Sequence, residues 1–341
     1  MRRLVAAALA ATALSLAPAA SPSAAAPASW AQAQIREVTA AGLMGGDAAS
    51  FRAADPMTAG DLADLVSGLT GRAPVDPAEP DAPVSMARLD AQLVRALGLD
   101  TAAREFATAL RSVGLAPPSA FGTETVARLL GLRTNHPTRL DALELRPQDV
   151  ATRAEAAYSA ARILELDDGD LAALRASADA FAPGTLDEPE REVLRTAVSL
   201  IGYPYVWGGT SENQQAPFGK TVPGGFDCSG FVWRVYKLGA AAGTPLADTL
   251  RGRTTYEMSG EVPRAERIPF AELEPGDVVF FGTHGPRSRP AEVYHAGIYL
   301  GGGWMIHSSD FGVALAPITD GWYRAAFAWA RRPLAEAGLT G

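Results

Sequence analysis

A chain of 341 residues with a single cysteine, Cys228, cannot close a disulfide within itself, so its fold must rest on packed apolar cores. The length is enough for two of them. The start of the chain sharpens the constraint. Arg2-Arg3, the apolar stretch Leu4 to Leu16, and the small residues and prolines that follow read as a secretory signal and leader over residues 1–28, with small-x-small cleavage points between Ala19 and Ala28. Export leads to an oxidising compartment, where cysteines are ordinarily paired. A solitary thiol kept there is easier to explain as a working group than as decoration. The apolar run is shorter than a spanning helix requires and no other run approaches that length, so no transmembrane anchor is expected.

A lone cysteine without context is most often a small buried core residue. The surroundings of Cys228 argue otherwise. It stands in Gly224-Gly225-Phe226-Asp227-Cys228-Ser229-Gly230-Phe231, and two of the chain's four histidines follow, in Tyr294-His295-Ala296-Gly297 and Met305-Ile306-His307-Ser308. Phe231, Val232, Val235 and Tyr236 fall on one helical face, which places Cys228 in the first turn of a helix capped by Asp227. There the free backbone N–H groups and the positive end of the dipole favour thiolate. The N–H of Cys228 can also point at a developing oxyanion, worth roughly 3 kcal/mol in comparable sites. A thiol with imidazoles on strand-like segments is the raw material of nucleophilic hydrolysis.

The two histidines flank Gly301-Gly302-Gly303 symmetrically, and the segments between are strand-like. A three-residue loop would pair Leu300 with Trp304 and put Gly297 opposite His307. His295 and His307 would then share a face as diagonal neighbours roughly 7 Å apart. A two-residue loop would send them to opposite faces unless a bulge restored the register. The remaining histidines are weaker candidates: His136 reads as a loop residue of the helical half, and His284 sits in a glycine- and proline-bounded loop.

Four segments in order carry a resemblance: Pro204-Tyr205-Val206-Trp207-Gly208-Gly209, Phe226 to Phe231, Pro275-Gly276-Asp277-Val278-Val279-Phe280-Phe281 and His295 to Gly301. They resemble the NlpC/P60 family of cell-wall peptidases. The resemblance implies an α+β fold in which a papain-like domain, helices packed on an antiparallel sheet, occupies residues 183–335. It implies cleavage of peptidoglycan stem peptides between D-glutamate and the following diamino acid. It maps the nucleophile onto Cys228, the general base onto His295 and the orienting residue onto His307. Tyr205 resembles the family's tyrosine beside the nucleophile, and Asp227 and Ser229 are implied to contact the substrate's amino end. The chain departs from the shortest family pattern twice, with about sixteen residues between Gly209 and Phe226 and about thirty-five between the nucleophile helix and Pro275. The second insertion carries Arg251, Arg253, Arg264 and Arg267, which could meet substrate carboxylates or be solvated.

Residues 29–182 read as an all-helical domain. Thr58, Ser85 and Thr152 each precede an amphipathic run and suit an N-cap, while Pro74, Pro77, Pro80 and Pro83 make an extended connector. Trp30–Leu69 parallels Phe121–Leu164, and the pattern resembles the S-layer homology module, whose signature is matched by Thr152-Arg153-Ala154-Glu155. The resemblance implies secondary cell-wall polymer as a partner; a purely structural helical domain is the other reading. Asp167-Asp168-Gly169-Asp170 is read as a solvated turn. Proline-rich breaks and a fresh helix from Pro189 predict that the two halves fold apart.

The formal charge is −8, or −10 without Arg2 and Arg3, which makes nucleic acid an improbable partner. Without CxxC or HExxH there is no metal site and no cofactor to expect. The reading that results is a secreted, wall-associated DL-endopeptidase. Its rivals are a wall-adhesion protein with a non-catalytic module and a papain-like amidase or acyltransferase.

Overall fold

The computed structural model describes residues 29–47, 50–134 and 144–339. The expected signal segment and His136 lie outside the described residues. Among the described residues of the helical half seven α-helices follow one another: α1 (Gln32–Ala40), α2 (Ala59–Thr70), α3 (Met86–Ala96), α4 (Asp100–Ser112), α5 (Phe121–Leu129), α6 (Arg153–Glu165) and α7 (Asp168–Asp179). Thr58, Ser85 and Thr152 cap α2, α3 and α6 from extended backbone, each accepting the N–H three residues on at 3.1–3.3 Å, as their residue types dictate. The residues just before these caps join in a closed ring. Met57 N–H donates to the Ala151 carbonyl, Ala151 N–H to Val84, and Val84 N–H back to Met57, at 2.8–2.9 Å. The three cap-initiated helices thus spring from one hub. The acidic run at Asp167 is not a turn: Asp167 and Asp170 cap each other's backbone and begin α7, because an Asp at the cap and another three residues on make a reciprocal box.

Arg153, from the Thr-Arg-Ala-Glu signature, is engaged inside this half. It pairs with Asp61 at 3.2 Å, donates to the carbonyls of Phe51 and Gly45 and stacks over the Phe51 ring. Nearby a second ionic cluster is fully buried, with Arg133 on Asp90 (2.8 Å) and Glu124 (3.3 Å), and Arg128 on Glu124 and Glu144.

The second half opens with α8 (Glu188–Ser199), a capping box of Asp187 and Glu190 with Pro189 in its first turn. A short ladder of β1 (Thr210–Ser211) and β2 (Gly225–Phe226) leads into α9 (Cys228–Lys237). The helices α10 (Pro245–Thr249) and α11 (Thr255–Gly260) follow. Then come β3 (Val278–Gly282), β4 (Val293–Gly301), β5 (Trp304–Ser309), β6 (Gly312–Pro317), α12 (Gly321–Ala326), β7 (Phe327–Arg331) and α13 (Pro333–Glu336). The five long strands form one antiparallel sheet in the order β6-β5-β4-β3-β7. Phe231, Val232, Val235 and Tyr236 bury the expected face of α9, which packs across β4 and β5.

The β4–β5 turn has two residues, not three. Gly301 pairs with Trp304, and a bulge at Leu300 shifts the register so that Gly297 still faces His307. Physical crowding explains the run of glycines. Gly301, Gly302 and Gly303 all have positive φ, and a Cβ on Gly301 or Gly302 would lie 1.9 or 2.1 Å from the carbonyl oxygens of Pro183 or Ala182. The connector between the halves therefore lies directly on this turn. Beside it Trp304 packs edge-on against Phe106 and Phe181, at 5.7 and 5.3 Å. One apolar core runs on from the helices into the sheet, across the point where the sequence reading divides the chain.

Candidate active site

The start of α9 sets the floor of the site. Asp227, at the N-cap, accepts the N–H of Gly230 on one oxygen and that of Gly208 (2.8 Å) on the other. Cys228 follows as the first helical residue, half-buried. Backbone N–H groups of Ser229 and Ala296 bond its sulfur, yet burial and then the Asp227 charge prevail and push the thiol up to about 12. The helix start was expected to favour thiolate. Desolvation is the larger effect here, and the isolated thiol is neutral.

His295 on β4 and His307 on β5 share the face of the sheet that carries Phe281 and Met305, opposite the face on which α9 packs. Their rings stand perpendicular, 5.0 Å between centroids, with His295 Nε2 2.9 Å from His307 Nδ1. Burial lowers His295 to about 4, and burial together with His295 lowers His307 further. Both imidazoles are therefore neutral in the resting protein near pH 7, and one donates to the other. With Nε2 engaged, Nδ1 of His295 is its remaining ring nitrogen. The Tyr323 hydroxyl lies 3.4 Å from His307 Nδ1 and 3.5 Å from Nε2, and the Phe281 ring packs against both His295 and Tyr323. The sequence reading did not single out Tyr323; no spacing marks a residue brought in by α12.

Beside the thiol a second polar group forms. Arg253, from the second insertion, bridges both oxygens of Asp227 and donates to Ser229 Oγ at 2.7 Å. Of the four arginines noted in that insertion, it is the one that reaches the cleft; Arg267 instead stacks on Trp329. Tyr205 also lines the cleft, and burial, followed by the charges of Cys228 and Asp227, raises its phenol so that it stays protonated as a donor. His284 is exposed near Glu292 and does not line the cleft.

These groups open into a cleft of about 790 Å³. Six exposed aromatic side chains, Trp207, Phe218, Tyr256, Tyr294, Phe311 and Trp322, stand around its mouth. They arise from six separate segments, so the sequence gives no local signal for them.

An antiparallel sheet with paired imidazoles on two strands, and a thiol at the start of a helix packed on its other face, belongs to a papain-like α+β domain. Residues 202–332 match the NlpC/P60 family, and the chain carries a domain of that family. A probable endopeptidase of Mycobacterium tuberculosis is 32% identical over 122 residues, 36% of this chain and 24% of the relative. A bifunctional muramidase/DL-endopeptidase of Bacillus subtilis is 33% identical over 143 residues, 41% of this chain and 35% of its own. A murein DD-endopeptidase of Escherichia coli is 30% identical over 168 residues, 46% and 54% of the two chains. The match thus spans about a quarter to a half of these relatives. The crystal structure of an NlpC/P60 family protein from Bacillus cereus aligns over 45% of this chain and 43% of its own, with 26% identity and a TM-score of 0.33.

Proposed function

We propose that this protein is a peptidoglycan endopeptidase that cuts stem peptides between D-glutamate and the following diamino acid. The observation that carries the reading is the 2.9 Å contact between His295 and His307, with His295 lining the same cleft as the Cys228 thiol. The names of these three relatives, each an endopeptidase, support the substrate class.

In this reading each ionisable partner is neutral alone, and charge arises by moving one proton. His295 takes the Cys228 proton on Nδ1 as the sulfur attacks the amide carbonyl. The imidazolium that forms is held by His307, which accepts from Nε2 and fixes the ring. The oxyanion meets the Cys228 N–H and the Tyr205 hydroxyl. The imidazolium then protonates the leaving amine, the C–N bond breaks and a thioester remains. Water, losing its proton to His295, adds to the thioester and releases the carboxylate and the thiol.

Action outside the membrane, at the wall, follows from the substrate and from the signal expected at residues 1–28. No described helix is long and apolar enough to cross a membrane. In the helical half, engagement of Arg153 within the fold favours the structural reading over polymer binding.

Digestion of purified muropeptides followed by mass spectrometry tests the proposal. Wild-type protein should create a D-glutamate carboxyl terminus and a free diamino-acid amine, and folded Cys228→Ala should create neither. New glycan reducing ends, lactyl ends or a cut at the D-alanine cross-link would each contradict it.

A further inference from the structure

Arg253 sits at the place a substrate group would fill. Its backbone is pinned to the start of α11, where its N–H donates to Glu257 Oε2 at 3.1 Å. Its guanidinium lies across the start of α9. Nη2 is 3.1 and 3.2 Å from the two oxygens of Asp227 and 3.4 Å from the Gly209 carbonyl, while Nη1 donates to Ser229 Oγ at 2.7 Å. Asp227 already accepts Gly230 N–H and the Ser229 hydroxyl on one oxygen and Gly208 N–H on the other.

A carboxylate and a hydroxyl beside a nucleophile are the partners that a peptide's terminal ammonium would seek. Here a guanidinium from the chain itself has taken both. An incoming –NH₃⁺ would meet a like charge at contact distance and find the acceptors of Asp227 occupied. What the cleft offers instead is donors. The Arg253 side chain is 30% exposed, lines the cleft, and its Nε has no hydrogen-bond partner among the described residues. A donor at that place matches the carbonyl oxygen of an acylated amino end.

We infer that Arg253 is a specificity-determining residue that makes the cleft select stem peptides whose amino end is blocked as an amide and reject those ending in a free ammonium. The inference rests on the endopeptidase reading above and narrows its substrate to stems still acylated at their first residue. The insertion that carries Arg253 is then the part of this chain that separates an internal cutter of intact wall from a scavenger of released peptides.

The test compares two tripeptides, L-alanyl-γ-D-glutamyl-diamino acid with a free amino end and the same peptide N-acetylated. For the wild type, kcat/KM should favour the acetylated peptide by tenfold or more. Arg253→Ala uncovers Asp227 and Ser229 and should erase or reverse that ratio, with Arg253→Lys keeping part of it; Arg253→Met, which retains the apolar stem, serves should the alanine variant not fold. Calorimetric binding of both peptides to Cys228→Ala, with and without Arg253→Met, reads the same discrimination without turnover. Cleavage with no preference, or a preference that survives loss of the guanidinium, overturns the inference and leaves the endopeptidase reading intact. Discrimination in binding without any wild-type turnover upholds the inference and overturns the proposed reaction. Failure of both peptides to bind overturns it as well.

Discussion

His295 is ordinarily a group that titrates near 6.5, and burial lowers it to about 4. Between those values the unfolded chain binds a proton that the folded chain refuses, so stability falls as pH drops. The loss begins below pH 6.5 and is complete near pH 4, about 3 kcal/mol from His295 alone, with His307 acting in the same direction. Urea unfolding at pH 7, 5.5 and 4.5 should show this slope, and His295→Asn should flatten it. The thiol shifts the other way. Raised to about 12 by burial and Asp227, it should be alkylated by iodoacetamide ever faster as pH rises through 8 to 10. A plateau already reached below pH 7 would mean a resting thiolate and a charged His295 instead. Gly230 belongs to the same floor: a Cβ there would lie 1.9 Å from the Gly209 carbonyl oxygen. Gly230→Ala should cost several kcal/mol or prevent folding, since backbone would have to move, as measured by thermal unfolding.

At the level of helices and strands, much of the site is legible in the chain because its signals are local. A cap residue followed by one apolar face places Cys228, and strand parity places His295 and His307 on one side. Parity alone leaves the turn length open. The two-residue turn with a bulge at Leu300 reflects the Ala182–Pro183 connector pressed on the glycines, a contact between distant segments that no window of sequence contains. Arg253 is obscure for the same reason. The sequence leaves the insertion's arginines between substrate and solvent, and only the folded chain shows Glu257 of α11 holding the Arg253 backbone and Asp227 its guanidinium. Gly297 offers a test of the imidazole pair that touches no substrate. Its Cβ would stand 3.1 Å from His307 Cβ and 2.8 Å from Met305 Sδ. Gly297→Ala should lower kcat tenfold or more with KM little changed, because it displaces His307, which orients His295 in the proposed mechanism.

Across the whole molecule the two halves are joined by apolar packing and by the hydrogen bond from Arg191 Nε to the Val113 carbonyl at 3.3 Å. The sequence predicts separate folding from its prolines, but Trp304 lies between Phe106 and Phe181, and a Cβ on Gly312 at the head of β6 would lie 2.9 Å from Glu144 of the helical half. The full chain should therefore unfold in one calorimetric transition, and a fragment starting at Gly184 should melt at a lower temperature, with Trp304 exposed to fluorescence quenchers. Two separate transitions would speak for independent halves. Arg133→Met, which strands Asp90 in the interior and leaves Glu124 to Arg128 alone, should cost about 3–5 kcal/mol, read from denaturant midpoints. The hub beneath those helices has one more consequence. Met57, Val84 and Ala151 each give one hydrogen bond and take one, and a circle of this kind counts its members. An open stack of repeats can lengthen by duplication, since each newcomer meets the same neighbour as the last. A closed circle of three has no free end. A fourth unit would have to break it before joining, so this region can diverge in sequence far more readily than it can change in number.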